Sequence, residues 1–74
     1  MSIKERAHLT VKRFLRLKEV KDITGLSRST IYEFMRKGDF PRNVSLGANS
    51  TAWISTEIDQ WVNDRIAQRD GEAA

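Results

Sequence analysis

The stretch from Leu17 to Gly38, "LKEVKDITGLSRSTIYEFMRKG", constrains this chain more than any other, because glycine and serine cut it into two short helices. Leu17, Val20 and Ile23 recur every third residue, with Lys18, Glu19, Lys21 and Asp22 around the rest of the turn. That pattern predicts a two-turn amphipathic helix closed by Gly25, whose missing Cβ suits a left-handed C-terminal cap. Leu26 follows where an apolar residue can fold back onto the helix, and Ser27 is a good N-cap for the next one. The second helix should run from Arg28 to about Lys37 and end at Gly38, with Pro41 forbidding any continuation. Two short helices joined by a tight glycine turn have the spacing of a helix-turn-helix.

The other segments have to complete one core, since 74 residues make a single domain that buries about 60% of the surface its unfolded chain exposes. "RFLRL" (Arg13–Leu17) sets Phe14 apart from Leu15 and Leu17 and turns Arg16 outward. So short an extended piece must pair with another strand. Val44 and Leu46 alternate with Ser45, and Ala52, Trp53 and Ile54 follow a Gly-Ala-Asn-Ser turn, which predicts a β-hairpin. Thr56 is the expected N-cap of the last helix, with Asp59 in capping-box position and Glu57 in the positive first turn. Ile58, Trp61, Val62 and Arg65 keep one face with Ile66 as a neighbour on that side, and the helix should fade near Arg69.

The expected core is Leu15, Leu17, Val20, Ile23, Leu26, Ile31, Phe34, Met35, Phe40, Leu46, Trp53, Ile58, Trp61 and Val62. Its two tryptophans each bury about 200 Å², so together they contribute about 10 kcal/mol before entropy is set against it. The fold class is mainly α: three helices with a short leading strand and a hairpin. Residues 1–12 read as a flexible basic arm, 13–69 as the folded domain and 70–74 as a frayed tail.

Net charge is +3, but its distribution says more. Residues 1–50 hold 11 Lys+Arg against 5 Asp+Glu, giving +6, and residues 51–74 hold 2 against 5, giving −3. A basic front suits a polyanion, although uneven charge is also ordinary on small soluble proteins. With 39% hydrophobic and 31% charged residues the chain reads as globular. It has no cysteine, and therefore neither a disulfide framework nor a thiolate zinc site. No apolar run approaches the ~20 residues of a membrane span, and the N-terminal segment lacks the apolar centre of a secretory signal. The expected location is cytoplasmic, with the N-terminus retained.

On the second helix, 100° per residue places Thr30, Ile31, Phe34 and Met35 on one side. Arg28, Ser29, Tyr32 and Arg36 fall within an arc of about 100° on the other, with Glu33 about 40° beyond Ser29. An arginine can pair with guanine O6 and N7 through two parallel hydrogen bonds, or clamp a phosphate. Ser29 is short enough to touch a base edge, and Tyr32 offers a hydroxyl to a phosphate and a ring to a thymine methyl. The same polar face would serve equally as plain solvated surface, and motif spacing alone leaves both open.

The string "RFLRLKEVKDITGLSRSTIYEFMRKGDFPRNVSLG", together with "AWISTEIDQWV", resembles the AlpA-like phage regulatory proteins. These are small cousins of the MerR-like DNA-binding domain and are related to phage excisionases. The resemblance rests on "LRLKEV", "TGLSRSTIY", "GDFP", the "LG" before the hairpin, and Trp53 followed by "EIDQWV". It implies a winged helix-turn-helix, with Arg28, Ser29 and Tyr32 on the recognition helix and Val44–Trp53 as the wing. Lys18, Ser27, Thr30 and Arg36 complete the expected DNA-facing set on the helices. At the wing tip a basic residue is expected, but Asn49, Ser50 and Thr51 stand there, so Arg42 would supply the charge and Asn49 and Ser50 uncharged contacts.

The implied function is a regulator that binds double-stranded DNA and turns on a prophage or mobile-element gene such as an integrase. The alternative is an excisionase that bends DNA at an attachment site, and a pure protein-interaction module built on the acidic last helix is a third reading. A homodimer or head-to-tail multimer on DNA is expected. Neither a small-molecule effector nor a cofactor is, since no ligand domain or long C-terminal coiled coil is visible. Catalysis lacks its parts: His8 is the single histidine, and Glu57 and Asp59 are explained by helix capping.

Overall fold

A computed structural model describes the backbone of residues 11–73. Strand β1 (Phe14–Leu15) leads into α1 (Leu17–Thr24), then α2 (Arg28–Lys37), β2 (Val44–Gly47), β3 (Ser50–Ile54) and α3 (Ser55–Ala73). The three strands form an antiparallel sheet in the order β1-β3-β2. Among the described residues, three helices, the first two of them a helix-turn-helix pair, and a hairpin beside them make a winged helix-turn-helix. Most of the expected basic arm lies outside the described residues, as does Ala74.

The helix ends follow the chemistry of their residues. Glu19 Oε1 accepts the Arg16 backbone N–H at 3.0 Å and so satisfies a donor at the start of α1. Gly25 sits at φ 74° and gives its N–H to the Lys21 carbonyl at 2.8 Å. Thr24 fastens the turn: its hydroxyl donates to the Val20 carbonyl (2.8 Å) and accepts from Leu26 N (3.2 Å). At the end of α2, Gly38 (φ 80°) donates to the Met35 carbonyl and Asp39 to that of Phe34, a Schellman closure.

The core joins Leu15, Val20, Ile31, Phe40, Trp53 and Ile58, with Leu17, Leu26, Tyr32, Phe34, Met35 and Trp61 packed around it half-buried. Leu15 pairs with Trp53 and Phe14 with Ile54, so the leading strand finds the mate it needs. One step on, Ser55 N donates to Arg13 O (2.8 Å) and Ser55 Oγ accepts Arg13 N–H (2.9 Å). Nearly two turns into α3, Trp61 Nε1 donates to the Asp39 carbonyl at 2.7 Å, and its ring meets that of Phe40 at a steep angle with centroids 5.0 Å apart.

Several expectations are corrected. Ile23 is exposed because α1 buries the line Leu17, Val20, Thr24 and not its last-turn isoleucine. Leu46 is exposed because β2 and β3 shift register between Ser45 and Gly47, leaving it unpaired in a bulge. Ala52, absent from the expected core, is wholly buried on the central strand. Trp61 is only half-buried, so the burial expected of the tryptophan pair rests mainly on Trp53. Helix α3 starts at Ser55 straight from β3, one residue before the expected Thr56 cap, and runs to Ala73 instead of fading at Arg69.

Candidate nucleic-acid interface

Helix α2 presents the site because Ile31 anchors its other side at zero exposure, with Phe34 and Met35 half-buried beside it. Its start is fixed by Ser27, whose Oγ accepts the Thr30 N–H at 3.2 Å and donates to Thr30 Oγ1 at 2.9 Å. Ser27 and Thr30, both in the expected set, thus spend hydrogen bonds on the cap, and Thr30 is half-buried. Arg28 and Ser29, the first two helical residues, are exposed, as is Arg36 about two turns on.

Tyr32 sits deeper than Arg28, Ser29 and Arg36. It is half-buried, and its ring lies edge-on to the fully buried Trp53, with centroids 6.1 Å apart and planes at 72°. Burial on α2 centres on Ile31, and Tyr32 follows it by one residue, about 100° round the helix. A long side chain at that boundary can lay its apolar body against the core. Arg28, four residues earlier, sets its guanidinium carbon 5.4 Å from the centre of the same ring.

The remaining cations are not equivalent. Arg36 pairs with Glu33 at 3.3 Å, and Lys37 approaches the same carboxylate oxygen at 4.0 Å. Lys18 pairs with Asp22 at 3.5 Å, and Arg13 with Glu19 at 3.5 Å. All these pairs are exposed, so water and salt weaken them. Among the described residues Arg28 has no carboxylate partner. Glu33 went unassigned in the sequence beyond its edge position, yet its spacing to Arg36 (i, i+3) and Lys37 (i, i+4) was the signal for both pairs.

Arg42 is exposed but lines a groove between α3 and the segment from Gly38 to Val44, with Asp39, Glu57 and Asp64. That groove takes no residue from α2. At the hairpin tip Asn49 holds φ 61°, a conformation asparagine tolerates, and is exposed. Ser50 is half-buried opposite Gly47. The structure therefore brings Ser27, Arg28, Ser29, Thr30, Tyr32 and Arg36 together on one helix, while Lys18, Arg42, Asn49 and Ser50 stand on three other parts of the fold.

Among the described residues no group of three His, Cys, Asp or Glu side chains is placed to hold a metal ion, and no helix is long and apolar enough to cross a membrane.

The sequence profile of the family described as "Prophage CP4-57 regulatory protein (AlpA)" matches residues 13–66. The chain is 54% identical over 61 residues to an uncharacterized protein, ORF88, of Enterobacteria phage P4, covering 82% of this chain and 69% of that one. It is 39% identical over 59 residues to the DNA-binding transcriptional activator AlpA of Escherichia coli K12, covering 72% of this chain and 84% of that protein. No solved structure matches it.

Proposed function

The chain belongs to the AlpA family of prophage regulatory proteins, and from that membership we propose that it is a transcriptional regulator that binds double-stranded DNA sequence-specifically. Helix α2 enters the major groove with Arg28 and Ser29 nearest the base edges, because the N-terminal residues of such a helix reach deepest. Arg36 and Lys18 take backbone phosphates, and Asn49 and Ser50 make uncharged contacts from the wing. The regulated gene is one of a prophage or mobile element, such as its integrase, and regulation is by activation, in keeping with what its Escherichia coli relative is named for.

One observation carries this reading: the guanidinium and hydroxyl groups at the start of α2 stand in solvent while Ile31 holds the opposite side in the core. A single small module covers only about 600–1,000 Å² of interface, so two or more copies act together, as a dimer or head to tail. The test is a mobility-shift titration on duplexes that the protein itself selects from a randomised pool, repeated at several salt concentrations. The logarithm of the binding constant should fall with slope about −0.9 per phosphate neutralised, and Arg28→Ala should lose about 1–3 kcal/mol and relax choice at one base pair. A protein that enriches no duplex at low salt would end the proposal.

A further inference from the structure

We propose that Tyr32 is a positioning residue: its ring is a platform, braced by Trp53, that holds the Arg28 guanidinium ready to read a base. The inference rests on the DNA-binding reading above and gives Tyr32 a task other than touching DNA.

Three observations place the platform. Arg28 and Tyr32 are four apart on α2, and helical side chains lean toward the N-terminus, so Tyr32 leans back under the first turn. The Arg28 guanidinium carbon lies 5.4 Å from the ring centroid, within the range of a cation–π contact. The same ring packs at a steep angle on Trp53, centroids 6.1 Å apart, and Trp53 is wholly buried on the central strand of the sheet. Tyr32 therefore cannot swing without repacking the core, and what rests on it inherits that stiffness.

The consequence is chemical. A guanidinium carries five N–H donors, and resting on a ring engages few of them, so the others stay available for guanine O6 and N7. Ordering a long side chain on binding weakens association, and a side chain held beforehand escapes much of that loss. Arg36 is the contrast: its partner is the Glu33 carboxylate at 3.3 Å, which competes for the donors a phosphate would need. With Arg28 over the ring and Trp53 packed against it, the thymine-methyl contact expected from the sequence gives way to a supporting role.

The experiment compares the full chain with Tyr32→Phe, Tyr32→Leu, Arg28→Ala and the double variant Tyr32→Leu/Arg28→Ala. Binding is measured on the duplex selected by the unsubstituted protein and on that duplex changed at each base pair. Tyr32→Phe keeps the ring and should stay within about twofold, whereas Tyr32→Leu should lose about tenfold in discrimination. That loss should fall at the same base pair that Arg28→Ala relaxes, and the double variant should lose no more than Arg28→Ala alone. In the unbound protein, ring-current shifts of the Arg28 Hδ and Hε resonances should persist in Tyr32→Phe and vanish in Tyr32→Leu, and amide spectra report whether each variant folds.

Equal losses in Tyr32→Phe and Tyr32→Leu would overturn the proposal by showing that the hydroxyl meets DNA. Uniform weakening on every duplex, additive with Arg28→Ala, would overturn it in favour of plain packing. Absent ring-current shifts in the unsubstituted protein would overturn it even if Tyr32→Leu did not fold. A protein that selects no duplex brings down the DNA-binding reading and this proposal together, while the first three results leave that reading intact.

Discussion

Glu33 is a single carboxylate among the cations of α2, and it tempers them. It holds Arg36 at 3.3 Å and Lys37 at 4.0 Å, and all three side chains are at least half exposed. An approaching phosphate must compete with that carboxylate and is repelled by it. Glu33→Gln should therefore tighten binding to random-sequence duplexes by about two- to fivefold at low salt, equivalent to ~0.5–1 kcal/mol. The gain should shrink as salt rises, and a mobility shift on an unselected pool measures it; unchanged affinity would mean that Glu33 lies away from the duplex. Residue identities on this face were legible from helical spacing, which put Arg28, Ser29 and Arg36 in solvent as found. The depth of Tyr32 was not, because one residue's difference in the centre of burial decides whether a ring stands up or lies down, and only the position of Trp53 fixes that centre.

At the scale of an element, α2 depends on its two ends. Ser27 supplies one of the donors' partners at the start, so Ser27→Ala should destabilise the protein by about 1 kcal/mol. Gly38 holds φ 80° with open space where a Cβ would sit, so Gly38→Ala should lose about 1 kcal/mol through backbone conformation alone. Urea titration followed by tryptophan fluorescence checks both, with a shifted midpoint and an unchanged slope expected. These ends, and that of α1, were legible because serine and glycine act through local backbone chemistry. The start of α3 was not: Thr56 looked like a cap by local rules, but Ser55 binds Arg13 from the far end of the domain. Leu46 misled for a related reason, since a bulge is a property of two strands together and leaves no mark in the alternation of one.

Taken whole, the molecule is held by a small centre from which α3 extends. Side chains from Asn63 to Gly71 are exposed, whereas Ile58, Trp61 and Val62 bear on the rest of the fold. Removing residues 70–74 should leave the thermal midpoint within about 2 °C of the full chain, because α3 is already exposed through Asp70 and Gly71. Differential scanning calorimetry decides it, and a fall of many degrees would mean that the end of the helix has a partner, such as a second copy. The wide arrangement of Lys18, Arg42 and the wing tip was legible only as a list of charges, because their relative placement depends on how β2 docks on β3.

The fastening of Arg13 to Ser55 spans 42 positions of the chain, and it sets an order on synthesis. A ribosome exposes Phe14 and Leu15 early, and both wait without a mate until Trp53 and Ile54 emerge. Short-range turns in α1 and α2 can close meanwhile, but distant pairings form only after the intervening chain exists. Translation halted upstream of Trp53 therefore releases not a smaller version of this protein but a helical pair with nothing beneath it.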